Sequence, residues 1–317
     1  MKKIFFKIFL FIALVFPILY FVNYIVDKGL RKSNLEKYVV WNDIYASRIN
    51  ADALICGHSR AYRHISPKIL DTALHINSYN LGMSGLYFDF QYARFRIYLE
   101  HNKKPKYIIQ QIDVGFFREQ EELLSETQYL PYLNDSIIRN VTDKYNGRFT
   151  LPEKYIPLFK YNNHFDLIST GIKWYFNKAH KEKLDFYKGY IPNDLKWDSS
   201  FADFKKVHPT GVVYETNPAI LAEFEAYLDY CKNNDIKVVF VCSPMYRESF
   251  LLINNRDKIM DLINGYARKY NIPFLDYSND SMCYDKNNFY NSQHLTKLAS
   301  EQFSLKLAND LKPIIKL

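Results

Sequence analysis

Hydrophobic and polar positions divide the chain into one long apolar run followed by short apolar runs that alternate with amphipathic ones. Residues 8–26 carry no charge and are rich in Phe, Leu and Ile, about the length that crosses a bilayer hydrocarbon core. A membrane-proximal helix is predicted over 32–50. Compact apolar runs at 53–57, 75–80, 106–113, 236–242 and 273–276 predict strands, the fourth strongly β-branched. Longer stretches with helical spacing predict helices at 66–74, 88–101, 218–233, 255–270 and 296–311.

Strands separated by helices imply a parallel sheet covered on both faces. With right-handed crossovers this is an α/β protein with a three-layer α/β/α flavodoxin-like sandwich, whose site lies at the carboxyl ends of its strands. The rhythm breaks after Phe116 and resumes near Asn217. The intervening segment is rich in Tyr, Phe, Asn and Pro, including Tyr129-Leu130-Pro131-Tyr132 and Tyr187-Lys188-Gly189-Tyr190, and reads as an insertion or lid at the active edge. The predicted organisation is a transmembrane anchor at 1–27, a membrane-proximal helix at 28–50, an α/β domain at 51–116 and 217–317, and the insertion at 117–216.

Charge alters this picture only modestly. The net charge of +8 and pI near 9.0 come from scattered lysines and arginines, without a nucleic-acid motif, so an anionic membrane or acidic glycan is a better match than nucleic acid. Lys2, Lys3 and Lys7 precede the apolar run, and Lys28, Arg31 and Lys32 follow it, so counting positive charges barely orients the span. No small-x-small cleavage site ends the run, which favours an uncleaved signal anchor with the large domain outside the cytoplasm. Of the four cysteines, Cys56 and Cys242 fall in predicted strands, and a Cys231–Cys283 disulfide is open to a chain in an oxidising compartment. Neither they nor the histidines have metal-ligand spacing, and no cofactor is expected.

The first strand runs directly into Gly57-His58-Ser59-Arg60, followed by a helix. A serine on such a turn stands at the carboxyl edge of the sheet. Tyr79-Asn80-Leu81-Gly82-Met83-Ser84-Gly85 follows the second strand, the third ends at Asp113, and Asn291-Ser292-Gln293-His294 lies near the C-terminus. Acyl transfer needs a nucleophile, a base and N–H donors for an oxyanion, and these segments offer each. His58, His64, His164 and His208 are expected to be structural, and Asp113 is most simply a turn cap.

On these blocks the chain resembles the SGNH/GDSL hydrolase superfamily over most of 50–116 and 217–317. The resemblance implies Ser59 as nucleophile, the Ser59 and Gly85 N–H groups as oxyanion donors, and His294 as base; Asn80, Asp113 and Arg60 are further site-lining candidates. Asn291 stands where that family usually has an aspartate orienting the histidine. An amide can fix the tautomer but cannot stabilise the imidazolium by charge. Three arrangements are open: Asp276, Asp280 or Asp285 substitutes, a backbone carbonyl suffices, or the site binds without catalysing. The single N-terminal span is similar to the D-alanyl-lipoteichoic acid transfer and alginate acetylation proteins. It implies an extracytoplasmic esterase or O-acyltransferase acting on acylated envelope glycans beside a membrane-bound O-acyltransferase. The alternative is a noncatalytic accessory subunit that binds glycan or such a partner.

Overall fold

A computed structural model describes residues 2–85, 88–118, 122–145 and 149–316. The chain divides into two units, 1–46 with 121–183, and 47–120 with 184–317.

The second unit is built on a five-stranded parallel sheet. Its strands are β1 (Ala53–Cys56), β2 (Ser78–Asn80), β3 (Tyr107–Gln111), β4 (Lys237–Cys242) and β5 (Phe274–Asp276), in the order β2-β1-β3-β4-β5. Strand order reverses between β1 and β3, and the crevice beyond the carboxyl ends at such a reversal is where doubly wound sheets bind ligands. Alternate residues of each strand face opposite layers. Ile55, Ile109, Val239 and Val241 meet Ala61, Leu70, Phe303 and Leu307 from the helices Ser59–His64, Pro67–Leu74 and Lys297–Leu311. Phe240 points the other way, its ring 5.8 Å from that of Phe224 on the helix Pro218–Asn233. Phe224 in turn meets Phe88 at 5.1 Å and Tyr266 at 5.2 Å, from the helices Phe88–His101 and Arg256–Tyr270. Every one of these rings except Tyr266 is essentially inaccessible, and burying each contributes roughly 1.5–3 kcal/mol. The three-layer α/β/α sandwich expected from the alternating pattern is therefore present.

Of the expected insertion, residues 184–216 cluster with this unit and apart from 121–183. Their attachment is specific. The Asn80 N–H donates to Lys188 O at 2.8 Å, Lys188 Nζ pairs with Asp71 at 2.6 Å, and Tyr190 OH meets Ser300 Oγ at 2.7 Å. Gly189 has φ +86°, and a Cβ there would lie 1.8 Å from Asn80 O, so only glycine lets this backbone approach the end of β2. All four cysteines are buried and free, leaving Cys231 and Cys283 unpaired.

In the first unit the helix Lys2–Leu30 extends past the predicted span, and most of its apolar side chains between Ile4 and Tyr24 are exposed before burial begins at Ile25. It is long and apolar enough to cross a membrane. The following helix is shorter than expected, Glu36–Tyr45. The reason is a local break: Ser33 Oγ donates to Leu30 O at 2.7 Å, and Asn42 Nδ2 donates to Leu30 O at 3.1 Å and Ser33 O at 2.8 Å, closing the end of the apolar helix with side chains. Near that end Gly29 lies against Gly171 of the helix Phe165–Tyr175, where a Cβ on Gly29 would sit 1.7 Å from Gly171 O.

Candidate active site

Beyond Cys56 the backbone turns at Gly57, whose φ is +149°. A Cβ there would meet Ala61 Cβ at 2.7 Å and Gln111 Cβ at 2.8 Å, so glycine is required for the turn that presents the next residues. Ser59 is the first residue of the helix Ser59–His64 and is partly exposed. The opposing wall comes from a small antiparallel pair, β6 (Phe289–Asn291) and β7 (His294–Leu295), which sequence periodicity did not predict.

These elements bring Ser59 and His294 together across 235 positions, with Ser59 Oγ 2.7 Å from His294 Nε2. The Asn291 Oδ1 accepts three N–H groups, each at 3.0 Å: the His294 ring Nδ1 and the backbone N–H groups of Gln293 and His294. Only the amide oxygen can face three donors, which fixes the Asn291 rotamer. It also places the His294 proton on Nδ1 and leaves Nε2 free to accept from the serine hydroxyl. Tyr290 stacks on the imidazole with centroids 5.4 Å apart.

The aspartates considered as replacements serve elsewhere. Asp280 pairs with Lys306, Asp285 accepts from the Asn287 N–H at 2.9 Å, and Asp276 accepts from the Ser278 N–H at 2.8 Å. The group that faces the His294 ring Nδ1 is the Asn291 amide oxygen. Burial, reinforced by the charges of Arg60, His58 and Arg63 and only partly offset by Asp113, lowers the His294 pKa to about 3. The ring is therefore neutral across the physiological range, and its imidazolium is disfavoured.

Asp113 is buried behind the serine. One carboxylate oxygen accepts from Arg60 Nη2 at 2.6 Å, Gln111 Nε2 at 2.8 Å and His58 Nε2, while the other accepts from the Gly115 N–H at 2.7 Å. Burial alone would raise its pKa, but Arg60, His58 and these hydrogen bonds hold it well below the usual carboxylate range. Asp113 is thus committed to two residues of the Gly57–Arg60 turn. His58 points to Asp113, away from the serine.

Asn80 is buried with its amide spent on backbone: Nδ2 donates to Ala61 O at 2.7 Å and Ile65 O at 2.9 Å, and Oδ1 accepts from the Gly82 N–H at 2.8 Å. It ties the end of β2 to the serine helix. The loop then passes the turn, with the Met83 N–H donating to Gly57 O at 3.0 Å. Gly85 follows on that loop, exposed, with φ +69°. Residues 86 and 87, immediately beyond it, lie outside the described residues.

His64 was expected to be structural, and its structural work is at the site. The fully buried ring accepts from the Leu295 N–H through Nε2 at 3.0 Å, so its Nδ1–H faces Ser243 Oγ at 3.2 Å. Burial, followed by the nearby His294, Arg60 and His58, pushes its pKa well below the ordinary value. This neutral imidazole bolts the segment carrying His294 to the helix carrying Ser59. A buried histidine of this kind has no spacing signature, which is why sequence reasoning missed its connection.

No family model matches the sequence, and no curated protein does. Among solved structures, the chain is similar to a protein described as a lipolytic protein of the G-D-S-L family from Desulfitobacterium hafniense DCB-2. That similarity has a TM-score of 0.40 and 12% identity, and covers 82% of this chain and 99% of that one.

Proposed function

We propose that this chain is a serine esterase or O-acyltransferase of the SGNH/GDSL type, held at a membrane by its N-terminal helix and acting outside the cytoplasm on acylated envelope glycans. The observation carrying this reading is the 2.7 Å contact between Ser59 Oγ and the Nε2 of a histidine whose tautomer Asn291 sets. Ser59 Oγ attacks the ester carbonyl as its proton passes to His294 Nε2. The oxyanion is held by the backbone N–H groups of Ser59 and Gly85. Collapse expels the alcohol, which takes the proton from His294 and leaves an acyl group on Ser59. Water or a glycan hydroxyl then gives its proton to His294 and attacks that acyl group; Ser59 Oγ leaves, taking the proton back from His294, and free acid or a newly acylated glycan is released. The membrane partner in this reading is an O-acyltransferase that supplies the acyl group.

One observation favours a second reading. The amide at 291 and the low pKa of His294 weaken proton acceptance, as expected of an accessory subunit that binds acylated glycan or its membrane partner without turnover. Release of acetate and of amino acid from O-acylated wall polymers by the full chain separates the two. Catalysis predicts release that Ser59→Ala abolishes. Equal release by both, or none above background, rejects the enzyme.

A further inference from the structure

We propose that a cavity of about 340 Å³ in the first unit, at the root of the apolar helix, binds the phosphate of an anionic phospholipid headgroup. The proposal rests on reading the helix Lys2–Leu30 as a membrane span. The cavity is lined along that helix from Tyr20 to Lys28, a rise of about 12 Å, and by Arg31 just past its end. This stretch includes the point at which exposed apolar side chains give way to buried ones, at Ile25. In a bilayer it would lie astride the boundary between hydrocarbon and headgroups. Tyr20, Tyr24 and Tyr155, which also line the cavity, are all more than half exposed, as suits amphipathic rings at that depth.

The charges select the ligand. Five basic residues, Lys28, Arg31, Arg139, Lys154 and Lys160, line the cavity against two acids, Asp27 and Glu153. Most of these are already engaged. Lys160 Nζ is 2.9 Å from Asp27, Lys154 pairs with Asp143, Arg31 donates to Pro131 O, and Glu153 accepts from Thr150 in a capping box. Asp27 is further held by Tyr161 OH at 2.6 Å. Lys28 has its ammonium 5.8 Å from the centre of the Tyr24 ring. Neither Lys28 nor Arg139 has an acid partner among the described residues. Two cations without an acid partner among the described residues, in a cavity of this size, match one phosphodiester, with the arginine able to donate to two oxygens. Basic pockets beside membrane helices recognise headgroups by this chemistry.

The test uses the full chain. Flotation with phosphatidylcholine vesicles first establishes membrane association, and failure to float rejects the span reading on its own. Native mass spectrometry from mixed micelles then compares retained phosphatidylglycerol with phosphatidylcholine. Wild type should retain the anionic lipid with about 10- to 30-fold preference. The double variant Lys28→Gln/Arg139→Gln should lose that preference at an unchanged unfolding temperature, because neither side chain has an acid partner among the described residues to abandon. Glycerol phosphate at millimolar concentration should not displace the lipid. A floating protein without preference for phosphatidylglycerol, or a double variant that keeps it, overturns the proposal. Displacement by glycerol phosphate overturns the lipid as the ligand's source.

Discussion

Replacing Asn291 with aspartate would add the charge this site lacks while keeping its geometry. The amide oxygen already accepts from the His294 ring and from two backbone N–H groups, each at 3.0 Å, and a carboxylate oxygen can occupy the same place. A negative charge about 4 Å from the imidazolium stabilises it by about 4 kcal/mol at an effective dielectric constant near 20. At about 1.4 kcal/mol per pH unit, the His294 pKa should rise from about 3 to near 6. The same charge stabilises the imidazolium formed during attack, so turnover should rise on the order of 10²- to 10³-fold, below the roughly 10⁴-fold effect of the equivalent charge in a full serine triad. Hydrolysis of p-nitrophenyl acetate between pH 4 and 9, normalised to titratable serine, provides the assay. Wild type should be slow and flat over this range because its base is already neutral at pH 4. The variant should be fast above pH 7 and lose activity through pH 6. A gain under tenfold with a flat profile, in a folded variant whose Ser59 still labels, would refute the assignment of Asn291 as orienter.

Acid should unfold the α/β unit through its buried imidazoles. His64 and His294 both have folded-state pKa values below the ordinary 6.5, so the unfolded chain takes up protons first as pH falls through 6.5. Stability is complete above that value and declines below it, by up to about 2.7 kcal/mol per pH unit for two groups; urea unfolding at pH 7, 6 and 5 measures the slope, which His64→Gln should halve. Asp113→Asn leaves Arg60 buried without its counter-charge and should cost about 3–5 kcal/mol in the same unfolding assay. A loss under 1 kcal/mol would contradict the role given to that carboxylate. Gly171→Ala would put a Cβ 2.6 Å from Val26 O and 2.9 Å from Val26 Cα; because backbone must move, thermal unfolding of the full chain in micelles should show a loss of about 1–3 kcal/mol.

The sheet was legible because each strand is a short apolar run closed by a polar or glycine turn, and the five helices predicted between and after them follow longer stretches with helical spacing. Ser59 was legible from its turn directly after the first strand, whereas His294 was singled out only by the resemblance of its segment to a known family block. Asn291 was visible as a departure, but sequence could not say that the amide itself faces His294 while Asp276, Asp280 and Asp285 are occupied elsewhere. Asp113 does cap its turn through the Gly115 N–H, as its sequence position suggested, but its other contacts were not visible. Its partners His58 and Arg60 lie more than fifty positions earlier and meet it only because β1 and β3 are neighbours at the reversal of strand order. The docking of residues 187–190 on β2 was illegible because it depends on backbone contact through Gly189 and not on a hydrophobic pattern.

In the proposed function Ser59 is a nucleophile activated by His294. Reaction of the full chain with a fluorophosphonate, followed by peptide mapping in a mass spectrometer, tests it most directly. A single phosphonylated residue, Ser59, should form in wild type, at least 100-fold more slowly in His294→Ala, and not at all in Ser59→Ala. An unmodified Ser59 in folded wild-type protein, or labelling at equal rates with and without His294, would contradict it.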